Sequence, residues 1–280
     1  MNIKKMIVFL VAFFFGLVFV PSPEHLVSEN LSSDAKISTV PPIAIKSETK
    51  IPEEIVDWQE EDVSKFKIKL LETGEGFHGD EIKAKSGEIW LGLFQKGDKY
   101  FLRSTKLKIL RAHDSIVDGE NEKVKSGKSV FTNNKAEAVF LLKNARMLSE
   151  GEIKTVFFAE DYDKAMEFKN GSQKNFEFNG ESYNLRIENK LTSDEFLTKG
   201  SKLILSHNGK EQILSYLTEG CNDCYWKLYW MGDLDKDGKL DFYFDLSGHY
   251  NVSDKRLFLS SPAKKGKLVK NVANFSTSGC

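Results

Sequence analysis

Polar and apolar residues alternate over short segments between residues 66 and 260, and this period of two predicts β-strands. Glycine and asparagine residues separate the segments at short intervals and are typical of tight turns. Many short strands joined by tight turns favour a mainly β fold, either an antiparallel sandwich or a barrel-like domain. The candidate strands outside the C-terminal aromatic segment cover residues 66–71, 87–94, 100–110, 129–131, 138–142, 153–158, 175–178, 183–187, 202–206, 212–217 and 255–260.

Two dipeptides in this pattern predict hairpin turns. Asn179-Gly180 and Asn208-Gly209 each lie between two candidate strands, and both positions of such a dipeptide accept the positive φ angles of a two-residue hairpin. Residues 161–168 break the alternation and predict a short helix.

The most aromatic part of the chain is residues 225–246, where alternation on both sides of an Asp-rich segment predicts strand, loop and strand. One alternating set is interpreted as core, and it consists of Trp226, Trp230, Phe242 and Phe244. The other set has two interpretations, either further packing or a surface that stacks on sugar rings or meets a protein partner. This second set consists of Tyr225, Tyr229, Tyr243 and Tyr250.

The Asp-rich segment at residues 232–241 carries the best-defined chemical signal. Its carboxylates occupy the first, third, fifth and ninth places of a loop, at Asp233, Asp235, Asp237 and Asp241, and Gly238 occupies the sixth. Two carboxylates about 4 Å apart repel by roughly 1 kcal/mol in water and by about 4 kcal/mol near a protein surface. A divalent cation turns this repulsion into cohesion, and calcium accepts six to eight oxygen ligands in flexible geometry.

The flanking residues distinguish this loop from an EF-hand, because strands surround it and Phe244 stands where an EF-hand has its bidentate Glu. The segment resembles the Asp-x-Asp-x-Asp-Gly-x-x-Asp hairpin loops of FG-GAP/VCBS repeats, which occur in integrin-like and exported bacterial proteins. The resemblance implies a calcium site made by Asp233, Asp235, Asp237, Asp241 and the carbonyl of Lys239. It covers one copy of the motif, so a complete propeller is not supported. The alternative is an acidic turn without an ion.

The N-terminal region has the composition of an export signal followed by a linker. Residues 6–20 form an apolar run after two lysines, and as a helix it spans about 22 Å, which is shorter than the roughly 30 Å of a bilayer core. We therefore expect residues 1–20 to be a signal peptide, or an uncleaved anchor that is the chain's one contact with a membrane. Residues 21–55 are rich in proline and serine and predict a disordered linker. The remainder is divided into β-rich regions at 56–155 and 156–280.

Three cysteines, Cys221, Cys224 and Cys280, are expected to supply one disulfide in an exported chain, either within the Cys-x-x-Cys pair or from that pair to Cys280. A thioredoxin-like redox site is disfavoured because a strand, rather than a helix, follows the pair. Three cysteines with His249 also have the composition of a zinc site, which only their proximity would support.

Other combinations of reactive residues carry weaker signals. The residues 126–129 lack the earlier glycine of a phosphate-binding loop. His113-Asp114-Ser115 are adjacent, whereas a hydrolase triad assembles from distant segments, so these residues are interpreted as surface groups. His78 is interpreted as part of a solvated loop. A net charge of −1, with both signs mixed along the chain, argues against nucleic-acid binding.

These observations predict an exported, non-catalytic β-rich protein with a structural calcium loop, acting as a binding or cell-surface module for a glycan or a protein. The alternative from another class is a calcium-stabilised extracellular hydrolase, which requires acid or base residues that converge in a cleft. A third interpretation is a module that strengthens a cell-envelope assembly without a ligand of its own.

Overall fold

Antiparallel β-strands make up most of the chain that the computed structural model describes, which comprises residues 62–134, 136–189, 195–221 and 223–279. A short 3-10 helix (Val63–Phe66) precedes the first strand. The strands are β1 (Lys69–Leu71), β2 (Gly74–Phe77), β3 (Ile89–Lys96), β4 (Lys99–Ala112), β5 (Gly127–Thr132), β6 (Ala138–Lys143), β7 (Gly151–Phe158), β8 (Met166–Phe168), β9 (Gln173–Phe178), β10 (Glu181–Glu188), β11 (Lys202–His207), β12 (Lys210–Tyr216), β13 (Trp226–Asp233), β14 (Asp241–Asp245), β15 (Val252–Leu259) and β16 (Lys270–Ser278).

The larger sheet follows the order β1-β6-β3-β4-β7-β13-β14-β15-β16, with β5 paired to β4, β2 to β5, and β8 to β13. Its two end strands, β1 and β16, lie next to each other, so the sheet curls into a nearly closed antiparallel barrel. Near this junction, side chains from β2 and from the turn after it contact β16. The Phe77 and Phe275 rings pack edge to face at 5.9 Å, and Glu81 accepts a hydrogen bond from the Ser278 N–H. The predicted mainly β fold is confirmed, and of the two expected forms, an antiparallel sandwich or a barrel-like domain, the larger sheet takes the second.

A second, four-stranded sheet has the order β12-β11-β10-β9. Both predicted hairpin turns lie in it, and they are confirmed. Asn179 and Gly180 have φ angles of 51° and 79° between β9 and β10, and Asn208 and Gly209 have φ angles of 48° and 69° between β11 and β12. Positive φ at both turn residues matches the right-handed twist of the strands.

Two groups of buried apolar residues form the core. The first core cluster fills the curled part of the larger sheet and includes Phe140 and Trp230. The second core cluster lies between the four-stranded sheet and the strands β13 to β15, and it includes Leu205, Trp226 and Phe244. Burial of large side chains on both faces of β13 therefore fixes this strand more firmly than a strand with one solvated face.

The interpretation that Trp226 and Trp230 share one face of β13 is wrong. A β-bulge between Leu228 and Trp230 shifts the pairing with β14, so that Trp226 enters the second core cluster and Trp230 enters the first. An inserted residue reverses the alternation of side chains beyond it. Tyr243 is also buried, in contact with Phe140.

The helix predicted for residues 161–168 is also wrong, because this segment is a turn followed by β8, which pairs with the start of β13. The sequence pattern did not indicate β2 or β16.

Residue 155, the expected boundary between two β-rich regions, lies inside β7, which is hydrogen-bonded to β4 and to β13. The expected signal segment at 1–20 and linker at 21–55 lie outside the described residues. Among the residues that are described, no helix has the length and apolar character needed to span a bilayer.

Candidate metal centre

The Asp-rich loop connects the two most buried strands of the larger sheet. It leaves β13 at Asp233 and enters β14 at Asp241. Lys236 and Gly238 take positive φ angles of 62° and 86°, which turn the chain sharply within the loop. Just before the loop, Gly232 faces β7 so closely that a β-carbon there would lie 2.4 Å from the Lys154 carbonyl oxygen. The backbone around the loop is therefore held by neighbouring strands.

Three carboxylates converge in this loop. One oxygen each from Asp233, Asp235 and Asp237 lies within 4.8 Å of the others, and exposure increases from the buried Asp233 to the exposed Asp237. Asp233 is 6% exposed; its Oδ2 accepts a hydrogen bond from Gly238 N at 3.1 Å, and its Oδ1 is buried without a hydrogen-bond partner among the described residues. A buried, unpartnered carboxylate oxygen is costly unless a cation binds it.

Hydrogen bonds within the loop and from the turn after β15 hold the other two carboxylates. Asp235 accepts from the Asp237 N–H at 3.4 Å and from the Ser261 N–H at 3.1 Å. Asp237 accepts from the Ser260 hydroxyl at 2.8 Å and from the Lys239 N–H at 2.9 Å. Asp235 thus accepts on both of its oxygens, and Asp237 accepts both bonds on Oδ1. These contacts fix the direction of each carboxylate, which lowers the ordering cost of binding an ion.

Asp241 differs from the other aspartates because backbone N–H groups surround it. Its Oδ2 accepts from Leu234 N at 2.7 Å and Asp235 N at 3.2 Å, and its Oδ1 accepts from Ser260 N at 2.8 Å. Burial raises the pKa of this carboxyl well above its usual range, and these hydrogen bonds partly oppose that shift. Asp241 therefore connects both ends of the loop to the turn after β15. Coordination of an ion by Asp241 stays a prediction, as does coordination by the Lys239 carbonyl.

The electrostatics of the trio favour a cation. Burial raises the pKa of Asp233, and the neighbouring charges of Asp235 and Asp237 raise it further. The Lys239 amine lies 3.6 Å from Asp237, at the more exposed side of the trio. Because each donor is an oxygen, the trio could bind a metal ion, and hard cations match such donors better than metals that prefer nitrogen or sulfur.

One contact with the loop comes from the second sheet. The Asn179 side chain, in the turn between β9 and β10, donates a hydrogen bond to the Gly238 carbonyl oxygen at 2.8 Å. Sequence reasoning identified Asn179 only as a turn residue. Its link to the loop, like those of Ser260 and Ser261, joins segments that are distant in sequence, and no local pattern could indicate it.

The cysteines and histidines singled out in the sequence have mainly structural contacts. Cys221 and Cys224 are joined as a disulfide before β13, so neither sulfur is available as a thiolate, and Cys280 lies outside the described residues. The interpretation of Asp114 as a surface group is wrong, because it is buried, whereas His78 lies in the loop after β2 and is half-buried. His78 Nδ1 lies 2.6 Å from Asp114 Oδ2, and Asp114 Oδ1 also accepts from the N–H groups of Ile116 and Val117.

Comparison of the chain with known protein families, with curated proteins and with solved structures finds no match. The geometry and the charges of the Asp-rich loop are therefore the basis for assigning a function.

Proposed function

We propose that the protein is an exported, non-catalytic binding module in which a calcium ion stabilises the hairpin loop between β13 and β14. The observation that carries this proposal is the convergence of Asp233, Asp235 and Asp237 around a buried Asp233 oxygen that has no other partner in the described chain. Export rests on the composition of residues 1–20 and on the disulfide, since disulfides persist mainly in oxidising compartments.

Calcium fits these donors better than the other common divalent ions. Zinc prefers nitrogen and sulfur ligands, and magnesium requires a near-ideal octahedron and retains several waters. Calcium tolerates irregular sets of carboxylate and carbonyl oxygens at about 2.3 to 2.6 Å. The spread of exposure, from buried Asp233 to exposed Asp237, leaves one side of the site open to water ligands.

Calcium is proposed to stabilise the fold because it binds the native loop, whereas the unfolded chain does not hold the carboxylates together. The site has no bidentate twelfth-place ligand, so we expect a dissociation constant on the order of 10⁻⁴ to 10⁻³ M. Calcium at ten times that constant then stabilises the native state by about 1.4 kcal/mol. For a domain of this size, the gain corresponds to a rise in melting temperature of about 3 to 6 °C.

Thermal melts with calcium, with magnesium and with chelator test this proposal. Asp235→Asn keeps the shape of the side chain but removes a charge from the trio, so the calcium-dependent rise should be lost. Asp98→Asn is the matched control, because Asp98 is an exposed carboxylate in the turn between β3 and β4. The proposal is contradicted if calcium does not change the melting temperature of the parent protein. It is also contradicted if calcium raises the melting temperature of Asp235→Asn as much as that of the parent.

A further inference from the structure

A polar cleft of about 390 Å³ lies at the end of the β13–β14 hairpin opposite to the Asp-rich loop. The hairpin register shows this placement, because Lys227 pairs with Asp245 at the cleft end, whereas Gly232 pairs with Asp241 at the loop end. The residues that line the cleft include Glu72, Tyr162, Tyr225, Asp245, Tyr250 and Lys255. Its volume is within the range of small-ligand sites.

Two buried lysines in the cleft wall already have partners of opposite charge. The Lys227 amine lies 3.5 Å from Glu167 and over the Tyr162 ring. The Lys255 amine lies between Asp245, at 3.5 Å, and Glu72, at 3.8 Å. The cleft therefore offers no surplus of positive charge that would select an anion, and its charged groups are held in place before a ligand arrives.

The two carboxyl groups next to Lys255 are fixed by further hydrogen bonds. Asp245 accepts from the Ser247 N–H and from the Ser253 hydroxyl, at 3.1 and 2.8 Å. Glu72 accepts from the buried Tyr243 hydroxyl at 2.8 Å, yet its side chain remains 25% exposed. Together they present oriented oxygen and nitrogen atoms to whatever enters the cleft.

Tyrosine rings form the rim of the cleft. Tyr250 is 76% exposed and Tyr162 is 57% exposed, and the hydroxyl of Tyr162 lies 3.2 Å from that of Tyr225. Exposed aromatic rings with a polar edge are enriched where a binding surface has both apolar and wet parts. A sugar ring has the complementary chemistry, with C–H groups on its faces and hydroxyl groups around its edge.

We propose that this cleft is a binding site for an uncharged saccharide, with Tyr250 and Tyr162 packing on sugar rings and with Glu72, Asp245 and Lys255 as partners of the hydroxyl groups. The proposal assigns a ligand class to the binding module of the proposed function, and it rests on that function without depending on calcium. Both lysines of the cleft are paired with carboxylates, which disfavours an acidic ligand, and aromatic rings beside fixed polar groups agree with a polyhydroxylated one.

An array of immobilised neutral and acidic oligosaccharides tests the proposal, followed by calorimetric titration with the neutral oligosaccharide that gives the strongest signal. Tyr250→Ala should weaken binding about tenfold, because it removes both the apolar area that the ring buries and the packing of the ring on the sugar face. Tyr250→Phe keeps the ring and should bind nearly as the parent protein does. Phe196→Ala is the control, because it removes an exposed aromatic ring outside the cleft.

Glu72→Gln provides a second variant, since glutamine can still accept the Tyr243 hydrogen bond and the fold should persist. We expect several-fold weaker binding. The proposal is overturned if the folded protein binds no neutral saccharide, if it binds only acidic ones, or if Tyr250→Ala and Glu72→Gln both bind as the parent does. If the parent protein cleaves a bound oligosaccharide and Glu72→Gln does not, the saccharide site stands, but the protein is a hydrolase and the proposed non-catalytic function is wrong.

Titrations repeated with chelator, below the melting temperature of the calcium-free protein, separate the two proposals. Saccharide binding should survive, because the cleft and the Asp-rich loop lie at opposite ends of the hairpin. A protein that binds saccharide but shows no calcium effect refutes the calcium site alone, and the reverse result refutes the saccharide site alone.

Discussion

The four aspartates of the loop differ in the hydrogen bonds that their oxygens accept, and only the structure shows this difference. Spacing predicted that Asp233, Asp235 and Asp237 would converge, because a turn of fixed length brings alternate positions together. Spacing could not show that, within the described part of the chain, one oxygen of Asp233 has no partner while both oxygens of Asp241 accept backbone N–H groups. The donor to the second oxygen of Asp241 is Ser260, far along the chain, so the sequence contains no local signal for it.

Asp241→Asn should destabilise the protein in the presence and in the absence of calcium. The amide nitrogen of asparagine cannot accept hydrogen bonds, so at least one buried backbone N–H group loses its partner, at a cost of about 1 to 3 kcal/mol. Urea unfolding with calcium and with chelator measures the loss. A destabilisation that occurs only with calcium would show that Asp241 acts through the ion alone. Asp98→Asn should change the free energy of unfolding by less than about 0.5 kcal/mol.

The His78–Asp114 pair should make stability depend on pH. The hydrogen bond to Asp114 raises the pKa of His78, and the same bond lowers the pKa of Asp114. The His78 contribution is complete below its unfolded pKa of about 6.5 and disappears as the pH rises through the raised value. The Asp114 contribution is complete above its unfolded pKa of about 3.9 and disappears as the pH falls through the lowered value.

Urea unfolding of the parent and of His78→Gln across this range measures the effect. The difference in unfolding free energy should be largest between about pH 4 and 6.5 and should decrease on both sides. His113→Gln is the control, because His113 lies at the looser distance of 3.7 Å from its own carboxylate, Asp118. A difference that is constant with pH would show that His78 contributes packing alone.

At the scale of elements, local chemistry predicted the turns better than the faces of the strands. Asn179-Gly180 and Asn208-Gly209 form hairpins because few other dipeptides accept two positive φ angles. The bulge at Tyr229 was not predictable from alternation, since both neighbouring faces of β13 are apolar and either register would bury them. The segment 161–168 lacks strand alternation, and its pairing with β13 decides its conformation.

Gly232→Ala should destabilise the strand pair that carries the Asp-rich loop. The new β-carbon would lie 2.4 Å from the Lys154 carbonyl oxygen and 2.7 Å from the Trp230 side chain, so β7 and β13 must move apart. Overpacking of this kind costs about 1 to 3 kcal/mol. Gly220→Ala is the matched control, because a β-carbon there meets no atom within 4 Å. Equal melting temperatures for the two variants would contradict this expectation.

At the scale of the whole described unit, alternation and turn spacing were enough to predict a mainly β fold, but they left a sandwich and a barrel-like domain equally open. They could not predict which strands pair, because strands with the same alternation are interchangeable partners until long-range packing selects among them. The first core cluster shows the extent of that selection. It joins Ile68, near the start of the described chain, to Phe275, near its end. The loop and the cleft lie at the two ends of the β13–β14 hairpin, and the first core cluster fixes β13 through Trp230.

The junction between β1 and β16 makes resistance to opening uneven around the barrel. Neighbouring strands elsewhere share ladders of backbone hydrogen bonds, whereas among the described residues no ladder joins β1 to β16. Apolar side chains of the first core cluster, such as Leu71 of β1 and Phe275 of β16, occupy this junction instead. Fluctuations that separate β1 from β16 therefore break fewer bonds than those that separate β13 from its partners. We therefore expect opening of the barrel to begin at this junction, which borders the tyrosine-rimmed cleft through Glu72 and Ser278 but does not include the Asp-rich loop.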